Sequence, residues 1–270
     1  MLYLMTNHHK SHKWMNLQSR FIKKNTTVEY KVICGVTEID VGSVKNELKL
    51  HSTNVYDISS VENKHYVKMN KMYNILNSFD PSDNDVIVFI DPDAFPINDS
   101  WYEKIINKLQ VYPLVAISRE ENIEPLLDEK FKPYPHPCFL ATTYGFWKNN
   151  NLSWELNPSR GASCAGVLLK ETLDNLGAAW GKMLRTNCCD LHPLMFAVYD
   201  DLIFHNGSGN RPAYDSIDVW KREELSSKHG VSLDLFYPGI IEFNNELSNL
   251  VFSFLEKDDQ FINYYLRGVA

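Results

Sequence analysis

The sequence lacks long apolar segments and has no excess of positive charge. No stretch approaches the roughly 20 apolar residues of a membrane-spanning helix. The apolar run Met1–Met5 is too short for a signal peptide, and no basic region precedes it. With 27 basic and 34 acidic residues, the formal net charge of −7 argues against nucleic acid or an anionic membrane as the main partner. These absences predict a cytoplasmic protein without a transmembrane segment, and they leave open a peripheral contact with a membrane.

The sequence also lacks the cysteine spacing of a zinc or redox site. Its five cysteines are odd in number and scattered, without a Cys-x-x-Cys pair. We expect them to be small buried residues in a reducing compartment: Cys34, Cys138, Cys164, Cys188 and Cys189. There is no internal repeat and no low-complexity linker. A length of 270 residues with 44% hydrophobic content predicts one large globular domain.

What the sequence does contain is an apolar strand that ends in two carboxylates. Val86–Ile90 has the β-branched and aromatic residues of a buried strand, and Asp91 and Asp93 follow it directly. Ligands of open α/β sheets bind outside the carboxyl ends of the strands. Two carboxylates this close resist joint ionisation unless a cation or a shared proton offsets their charge. The pattern predicts a divalent metal site; the alternative is a solvated turn whose aspartates cap backbone amides.

Strands and helices alternate through the first 118 residues. This alternation predicts an α/β fold with a mostly parallel, doubly wound central sheet flanked by helices. We expect Thr6–His12 to be a polar loop, and residues 42–60 to be less regular. The predicted strands are Leu2–Met5, Glu29–Val36, Val86–Ile90 and Leu114–Ser118, and the predicted helices are Lys13–Lys24, Lys64–Phe79 and Asp99–Gln110.

The pattern changes after Arg119, where prolines and aromatic residues predict a rigid, aromatic-lined loop region. Beyond it, Gly161–Leu169 is typical of a small-residue turn that leads into a strand. The remaining predicted elements are helices at Glu171–Leu184 and Leu191–Tyr199, a short strand at Leu202–Phe204, a helix near Ser216–Lys228 and a long amphipathic helix at Glu242–Leu266.

A second polar cluster, His205–Arg211, follows the short late strand. It combines an imidazole able to bind metal, glycines that let backbone amides face an anion, and an arginine suited to phosphate. Together with the earlier carboxylates, this composition favours a metal and phosphate site. The alternative is a glycine-rich hairpin with a capping histidine.

The order of these features resembles the GT-A fold glycosyltransferases, which use nucleotide-sugar donors. The likeness covers residues 1–211: an N-terminal strand, a buried strand ending in Asp-x-Asp, an aromatic region, a small-residue turn and a late Phe-His-x-Gly-x-Gly-x-Arg. It implies a Rossmann-like GT-A domain with a nucleotide-sugar half (residues 1–118) and an acceptor half (residues 119–211). Residues 212–270 would be a C-terminal helical extension packed on the same domain.

The resemblance also implies roles for individual residues. Asp93 would bind Mn²⁺ or Mg²⁺ on the donor diphosphate, Asp91 would contact the metal or the ribose, and His205 would complete the metal site. The diphosphate would be contacted by Gly207, Gly209 and Arg211, and the nucleotide by Thr6 and Asn7. A UDP-sugar is the favoured donor and a GDP-sugar the second choice.

The sequence gives weaker signals for the residues that would bind the acceptor. Aromatic rings stack on sugars, so Tyr144, Trp147 and Trp154 are candidates to bind a glycan or glycoconjugate acceptor, although such residues are more often core. An inverting enzyme needs a carboxylate base, for which Asp190 is the candidate, with Asp200 and Asp201 as rivals. The Glu-Asp pair of inverting family members is absent at Asp190, so base and stereochemistry both stay open.

The Asp-x-Asp motif also occurs in two alternative kinds of protein. A haloacid-dehalogenase-like phosphatase also has a strand ending in Asp-x-Asp, but that motif usually opens the chain and continues to a threonine, whereas Phe95 stands here. A non-catalytic nucleotide- or carbohydrate-binding domain of the same fold would not need all the polar clusters. A metal-dependent hexosyltransferase or related transferase is therefore the preferred interpretation.

Overall fold

The computed structural model of the protein describes residues 1–10, 12–47, 50–118, 133–156, 165–187, 196–207 and 238–257. The strands are Leu2–His9 (β1), Tyr30–Thr37 (β2), Thr53–Asp57 (β3), Val86–Ile90 (β4), Ala94–Pro96 (β5), Leu114–Ser118 (β6), Pro135–Thr143 (β7), Gly181–Met183 (β8), Ala197–Tyr199 (β9) and Ile203–His205 (β10). The helices are Lys13–Asn25 (α1), Val41–Glu47 (α2), His65–Leu76 (α3), Trp101–Leu109 (α4), Tyr144–Asn149 (α5), Gly166–Asn175 (α6) and Pro238–Lys257 (α7).

A seven-stranded sheet forms the centre of the protein, in the order β3-β2-β1-β4-β7-β6-β8. Neighbouring strands are parallel except that β7 runs antiparallel to both β4 and β6. The predicted α/β class, a mostly parallel sheet flanked by helices, is confirmed. Since β1, β2 and β4 are parallel, their carboxyl ends lie at one edge of the sheet, where the predicted site residues begin.

Both faces of the sheet are covered, because successive side chains of a strand point to opposite faces. On one face Val88 packs in a cluster with residues of α1 and α4, including Ile22 and Trp101. On the other face Phe89 packs with residues of α3, α5 and α6, including Met72 and Trp147. All five residues of β4 are buried, which explains why their sequence is apolar without alternation.

A second sheet of three short antiparallel strands, in the order β5-β10-β9, lies beyond the end of β4. Phe95 of β5 and Phe204 of β10 are buried with Trp14 and Phe21 of α1. Val251 of α7 is buried in the same cluster, so the last described helix packs on the domain. The domain boundaries near residues 118 and 211 stay predictions.

Several predicted elements differ from the structure near its functional edge. The expected polar loop begins late, because Thr6–His9 continues β1 and pairs with Cys34–Thr37. The expected aromatic loop contains β7, which is inserted between β4 and β6. The end of β1 is polar and the start of β7 is rich in proline, so neither segment has the local sequence pattern of a strand. Both form strands through pairing with segments that are distant in the chain.

In the second half, short apolar runs were assigned to the wrong element. Val167–Leu169 belongs to α6 and not to a strand, an ambiguity inherent in short apolar runs. The helix predicted to reach Leu184 ends at Asn175, ahead of Gly177 with a φ of +64°, and β8 follows. Ala197–Tyr199 is a strand paired with β10 and not part of a helix.

Two further expectations are met in part. Cys34 and Cys138 are buried free thiols, and burial raises the pKa of Cys34 to about 12; the other three cysteines lie outside the described residues. Within the described residues, no helix combines the length and apolarity needed to cross a bilayer. The helix predicted near Ser216–Lys228 lies outside the described residues.

Candidate metal centre

The turn after β4 carries the two carboxylates. The backbone N–H of Asp91 donates to the carbonyl of Cys138 on β7 at 3.0 Å, which holds the end of β4 against its neighbour. Three residues later, the N–H of Ala94 donates to the carbonyl of Asp91 at 3.0 Å and closes a tight turn. This turn leaves the main sheet and enters β5, so both carboxylates project at the sheet's carboxyl edge.

Backbone pairing brings His205 to the same turn. β10 runs antiparallel to β5, with His205 opposite Ala94. One residue on, the N–H of Asn206 donates to the carbonyl of Asp93 at 3.0 Å. Residues separated by more than 110 positions in the sequence are therefore fixed side by side by main-chain hydrogen bonds.

The resulting cluster has the dimensions of a metal site. His205 Nε2 lies 3.6 Å from Asp91 Oδ2 and 3.6 Å from Asp93 Oδ1. One ligand atom from each of the three residues lies within 4.8 Å of the other two. Side chains of Asp93 and His205 are each only 5% exposed. At metal–ligand distances of about 2.1 Å, neighbouring ligands of an octahedral cation are separated by about 3 Å, so small adjustments would let the three residues hold one divalent ion.

Two more histidines lie beside this cluster. His65, at the start of α3, has Nε2 at 3.4 Å from Asp91 Oδ1, on the carboxylate oxygen that His205 does not face. Its side chain is 41% exposed. On β7, the ring of His136 lies with its centroid 6.4 Å from that of His205. The carboxylate of Asp91 is thus flanked by an imidazole on each side.

A buried glutamine connects the turn to α1. The Gln18 side-chain amide donates to the carbonyl of Asp91 at 2.7 Å and to the carbonyl of Ala94 at 2.8 Å. Its Oε1 lies 3.4 Å from Nε2 of His8, a buried histidine at the end of β1. Burial lowers the pKa of His8 to about 4, against smaller opposing effects of Gln18 and Asp93, so His8 is neutral at pH 7.

A buried lysine lies at the same edge of the sheet. Lys68 of α3 donates from Nζ to Thr37 Oγ1 at 3.1 Å and to Asn63 Oδ1 at 2.5 Å. Desolvation lowers its pKa below the usual value. Both acceptors are neutral, so this side chain contributes positive charge near the ends of β1 and β2.

The predicted donor residues are only partly within the described chain. Thr6 and Asn7 lie near the end of β1 and are buried, and Thr6 lines a pocket between β1, β2 and α1. Gly207 follows His205 and has a φ of +74°, a left-handed conformation that favours glycine. Gly209, Arg211 and the candidate base Asp190 lie outside the described residues. Their roles stay predictions.

The rival base candidates are held in structural hydrogen bonds. Asp200 accepts from Lys108 Nζ at 2.6 Å and from the N–H of Leu184 at 2.9 Å. Asp201 accepts from the hydroxyl of Thr186 at 2.8 Å. Both carboxylates lie in the turn between β9 and β10 and tie it to neighbouring segments. This structural role accounts for both residues without a role in catalysis.

The structure does not support the acceptor role expected for Tyr144, Trp147 and Trp154. All three are buried in the core on the α3 face of the sheet. The ring centroids of Trp147 and Trp154 lie 4.7 and 5.3 Å from that of Phe89, the residue two positions before Asp91. Because these side chains are buried, their rings cannot stack on a sugar. The aromatic residues at these positions serve core packing.

Sequence reasoning missed Gln18, His65 and Lys68. Gln18 could have been noticed as a polar residue within the apolar stripe of α1, four positions after Trp14. Lys68 similarly lies between the buried positions of α3. No comparable signal marked His65, whose proximity to Asp91 depends on how α3 packs.

No family model matches this chain, and no curated protein matches it. Among solved structures, galactosyltransferase LgtC in complex with donor and acceptor sugar analogues is 11% identical with a TM-score of 0.43, covering 84% of this chain and 95% of that one. Mannosyltransferase PcManGT from Pyrobaculum calidifontis, in complex with GDP-Man and Mn²⁺, is 8% identical with a TM-score of 0.49, covering 96% and 71%. A putative glucose-1-phosphate thymidylyltransferase from Bacillus anthracis is 10% identical with a TM-score of 0.43, covering 68% and 87%.

Identities this low and TM-scores below 0.5 assign no activity, substrate or metal to this chain. Its own features are more informative: the sheet order and the cluster of Asp91, Asp93 and His205 at the carboxyl edge. The mostly parallel sheet and this cluster are the two features that the resemblance to the GT-A fold glycosyltransferases predicts.

Proposed function

We propose that the protein is a metal-dependent glycosyltransferase that moves a sugar from a nucleoside-diphosphate sugar to a hydroxyl of a glycan or glycoconjugate. The observation that carries the proposal is the buried cluster of Asp91, Asp93 and His205 beyond the carboxyl end of β4. A deeply buried carboxylate such as Asp93 needs a compensating positive charge, and a divalent cation supplies it in the place where α/β sheets bind ligands.

Each side chain of the cluster has a defined part in this proposal. Asp93 and His205 would hold the metal, and Asp91 would join them or contact the donor ribose. When bound, the cation would neutralise negative charge that develops on the departing nucleoside diphosphate. Imidazole is an unusual ligand for Mg²⁺ but suits transition metals, so we expect Mn²⁺ to be preferred over Mg²⁺.

The surroundings of the cluster suit an anionic donor. Lys68 is a buried cation at the same edge, and the resemblance assigns Gly207, Gly209 and Arg211 to the diphosphate. Thr6 and Asn7 at the end of β1 are the proposed nucleotide contacts. A UDP-sugar is the first candidate donor and a GDP-sugar the second; cytoplasmic location stays a prediction.

The proposal is tested by thermal melting with UDP-, GDP-, CMP- and dTDP-sugars, each with and without Mn²⁺. A donor at a hundred times its Kd stabilises the fold by about 2.7 kcal/mol, which is a rise in Tm of roughly 5–10 °C for a chain of this size. We expect one class of donor to give this shift only with Mn²⁺. If none gives a metal-dependent shift, the proposal is wrong.

Two substitutions compare an aspartate of the proposed metal site with an exposed aspartate elsewhere in the chain. Asp93→Asn should abolish the metal-dependent shift and lower transfer by at least 100-fold, because it removes one buried charge from the cluster. Asp83→Asn, in the exposed loop before β4, is the matched control and should behave as wild type. Equal loss in both variants would contradict the assignment.

Two outcomes would favour other functions. Rapid hydrolysis of a generic phosphate ester with Mg²⁺ and no acceptor would favour the phosphatase alternative. Donor binding without release of nucleoside diphosphate, across a panel of glycan acceptors, would favour a non-catalytic binding domain.

A further inference from the structure

Gln18 is the side chain that joins the Asp91–Ala94 turn to the body of the domain. It is 3% exposed and lies on α1, far from the turn in sequence. Its amide group donates to the carbonyl at each end of the turn, at 2.7 Å to Asp91 and 2.8 Å to Ala94. Both carboxylates of the proposed metal site are carried between these two anchor points.

The orientation of this amide is determined by its partners. Carbonyl oxygens only accept hydrogen bonds, so the NH₂ group of Gln18 must face the turn and its Oε1 must face His8. Since Oε1 also only accepts, His8 Nε2, 3.4 Å away, must carry the imidazole proton. His8 Nδ1 then has no proton to donate, and it has no hydrogen-bond partner among the described residues. His8 thereby supports the orientation of Gln18 by donating to its Oε1, and Gln18 holds the turn.

From this geometry we infer that Gln18 is a positioning residue of the metal centre, oriented by His8, that sets the spacing of Asp91 and Asp93 for a divalent cation. The inference rests on the proposed function, because it assumes that this cluster binds a metal. Ligand distances in metal sites lie within about 0.2 Å of standard values, so we expect a turn released from α1 to bind the cation less well. Outer partners of metal ligands typically contribute 10- to 100-fold in affinity.

The chain offers a closely matched control in Asn25. It is also a buried amide on α1, and it donates to the carbonyl of Phe21 at 3.1 Å and to that of Pro96 at 2.9 Å. Pro96 is at the opposite end of β5 from Ala94. Replacing Gln18 removes two hydrogen bonds from α1 to the metal-binding turn. Replacing Asn25 also removes two side-chain hydrogen bonds, one within α1 and one to β5, and neither contacts that turn.

The test is titration of the purified protein with Mn²⁺ alone, followed by electron paramagnetic resonance, together with the Tm of each variant. We expect Gln18→Met to raise the Kd for Mn²⁺ by at least 10-fold and to change the spectrum of bound Mn²⁺. Asn25→Leu should lower the Tm to a similar degree and leave the Mn²⁺ affinity within 2-fold of wild type. Unchanged affinity in Gln18→Met, or equal losses in both variants, would overturn the inference.

A second pair of variants keeps the test decisive if Gln18→Met does not fold. His8→Phe removes the hydrogen bond that orients Gln18 and should weaken Mn²⁺ binding several-fold, whereas His8→Gln retains a donor and should weaken it less. Equal Mn²⁺ affinity in these two variants and wild type would count against the inference. Wild-type protein that does not bind Mn²⁺ would overturn the proposed metal centre itself, a result distinct from a failure of Gln18 alone.

Discussion

At the scale of single residues, His8 couples the folding of the domain to pH. The imidazole is neutral when buried, and its pKa falls from 6.5 to about 4. Between these two values the unfolded chain binds a proton that the native protein does not, so the free energy of unfolding decreases as the pH falls from 6.5 to 4. The loss contributed by His8 is about 3 kcal/mol over this window, and it is complete below pH 4.

Urea unfolding of wild type and His8→Gln at several pH values measures this contribution. The glutamine has no group that titrates in the window, so its stability should fall by about 3 kcal/mol less than that of wild type between pH 6.5 and 4. Parallel pH profiles for the two proteins would show that the pKa of His8 is not lowered in the native state.

At the scale of secondary structure, the contact between α6 and β7 depends on a glycine. Gly166 is the first residue of α6 and is buried against the start of β7. A Cβ at this position would lie 1.7 Å from the carbonyl oxygen of Pro135, a main-chain atom that cannot move alone. The close approach fixes α6 on the sheet, and it explains the small-residue signal that the sequence showed there.

Gly166→Ala should therefore destabilise the protein by about 2 kcal/mol or more, through overpacking that shifts α6 from β7. The control is Gly42→Ala in the exposed part of α2, where the added methyl meets only the side chain of Asp40, at 3.2 Å from the Oδ2 that accepts from the Ser43 N–H. That change should be neutral or stabilising by up to about 1 kcal/mol, because alanine is the better helix former. Chemical denaturation of both variants gives the comparison; similar losses would contradict the proposed close contact.

The pairing of β5 with β10 is the second decisive contact at this scale. Each strand has only three residues, and neither would be stable alone. They are held by burial of Phe95 and Phe204 against α1. This packing places His205 beside Asp93 and gives the candidate metal centre its third ligand.

At the scale of the whole molecule, α7 packs against the part of the protein that carries the candidate metal ligands. Its residues Val251 and Leu255 are buried with Trp14 and Phe21 of α1. The amide of Asn206, next to His205, donates to the hydroxyl of Ser248 on α7 at 3.1 Å. The described part of the C-terminal segment thus supports the site through both packing and a hydrogen bond.

Truncation of a buried residue on α7 tests whether this helix belongs to the same folding unit. Leu255→Ala removes a fully buried side chain and should lower the stability of the whole domain by about 2–5 kcal/mol in a single unfolding transition. Leu250→Ala, at a position 51% exposed, should change stability by no more than about 0.5 kcal/mol. A separate early transition in the Leu255→Ala melt would show that α7 unfolds independently.

The sequence by itself determined the fold class and the first two candidate metal ligands, because those signals are local. Five apolar residues specify a buried strand wherever it lies in the sheet, and the two aspartates lie in the turn that follows it. His205 was also marked locally, by the glycine-rich cluster that follows it. Regular alternation of strands and helices was sufficient to predict the mostly parallel sheet.

Only the tertiary structure decided which residues surround those ligands. Gln18 and His65 reach the site through the packing of α1 and α3, which no pattern within a helix specifies. The same packing of α3 brings Lys68 to the end of β2. The same packing buried Trp147 and Trp154 in the core and removed them as acceptor candidates. The physical reason is that a hydrophobic pattern encodes which face of a helix or strand is buried. Which elements pack against that face is decided by contacts between residues that are distant in the sequence.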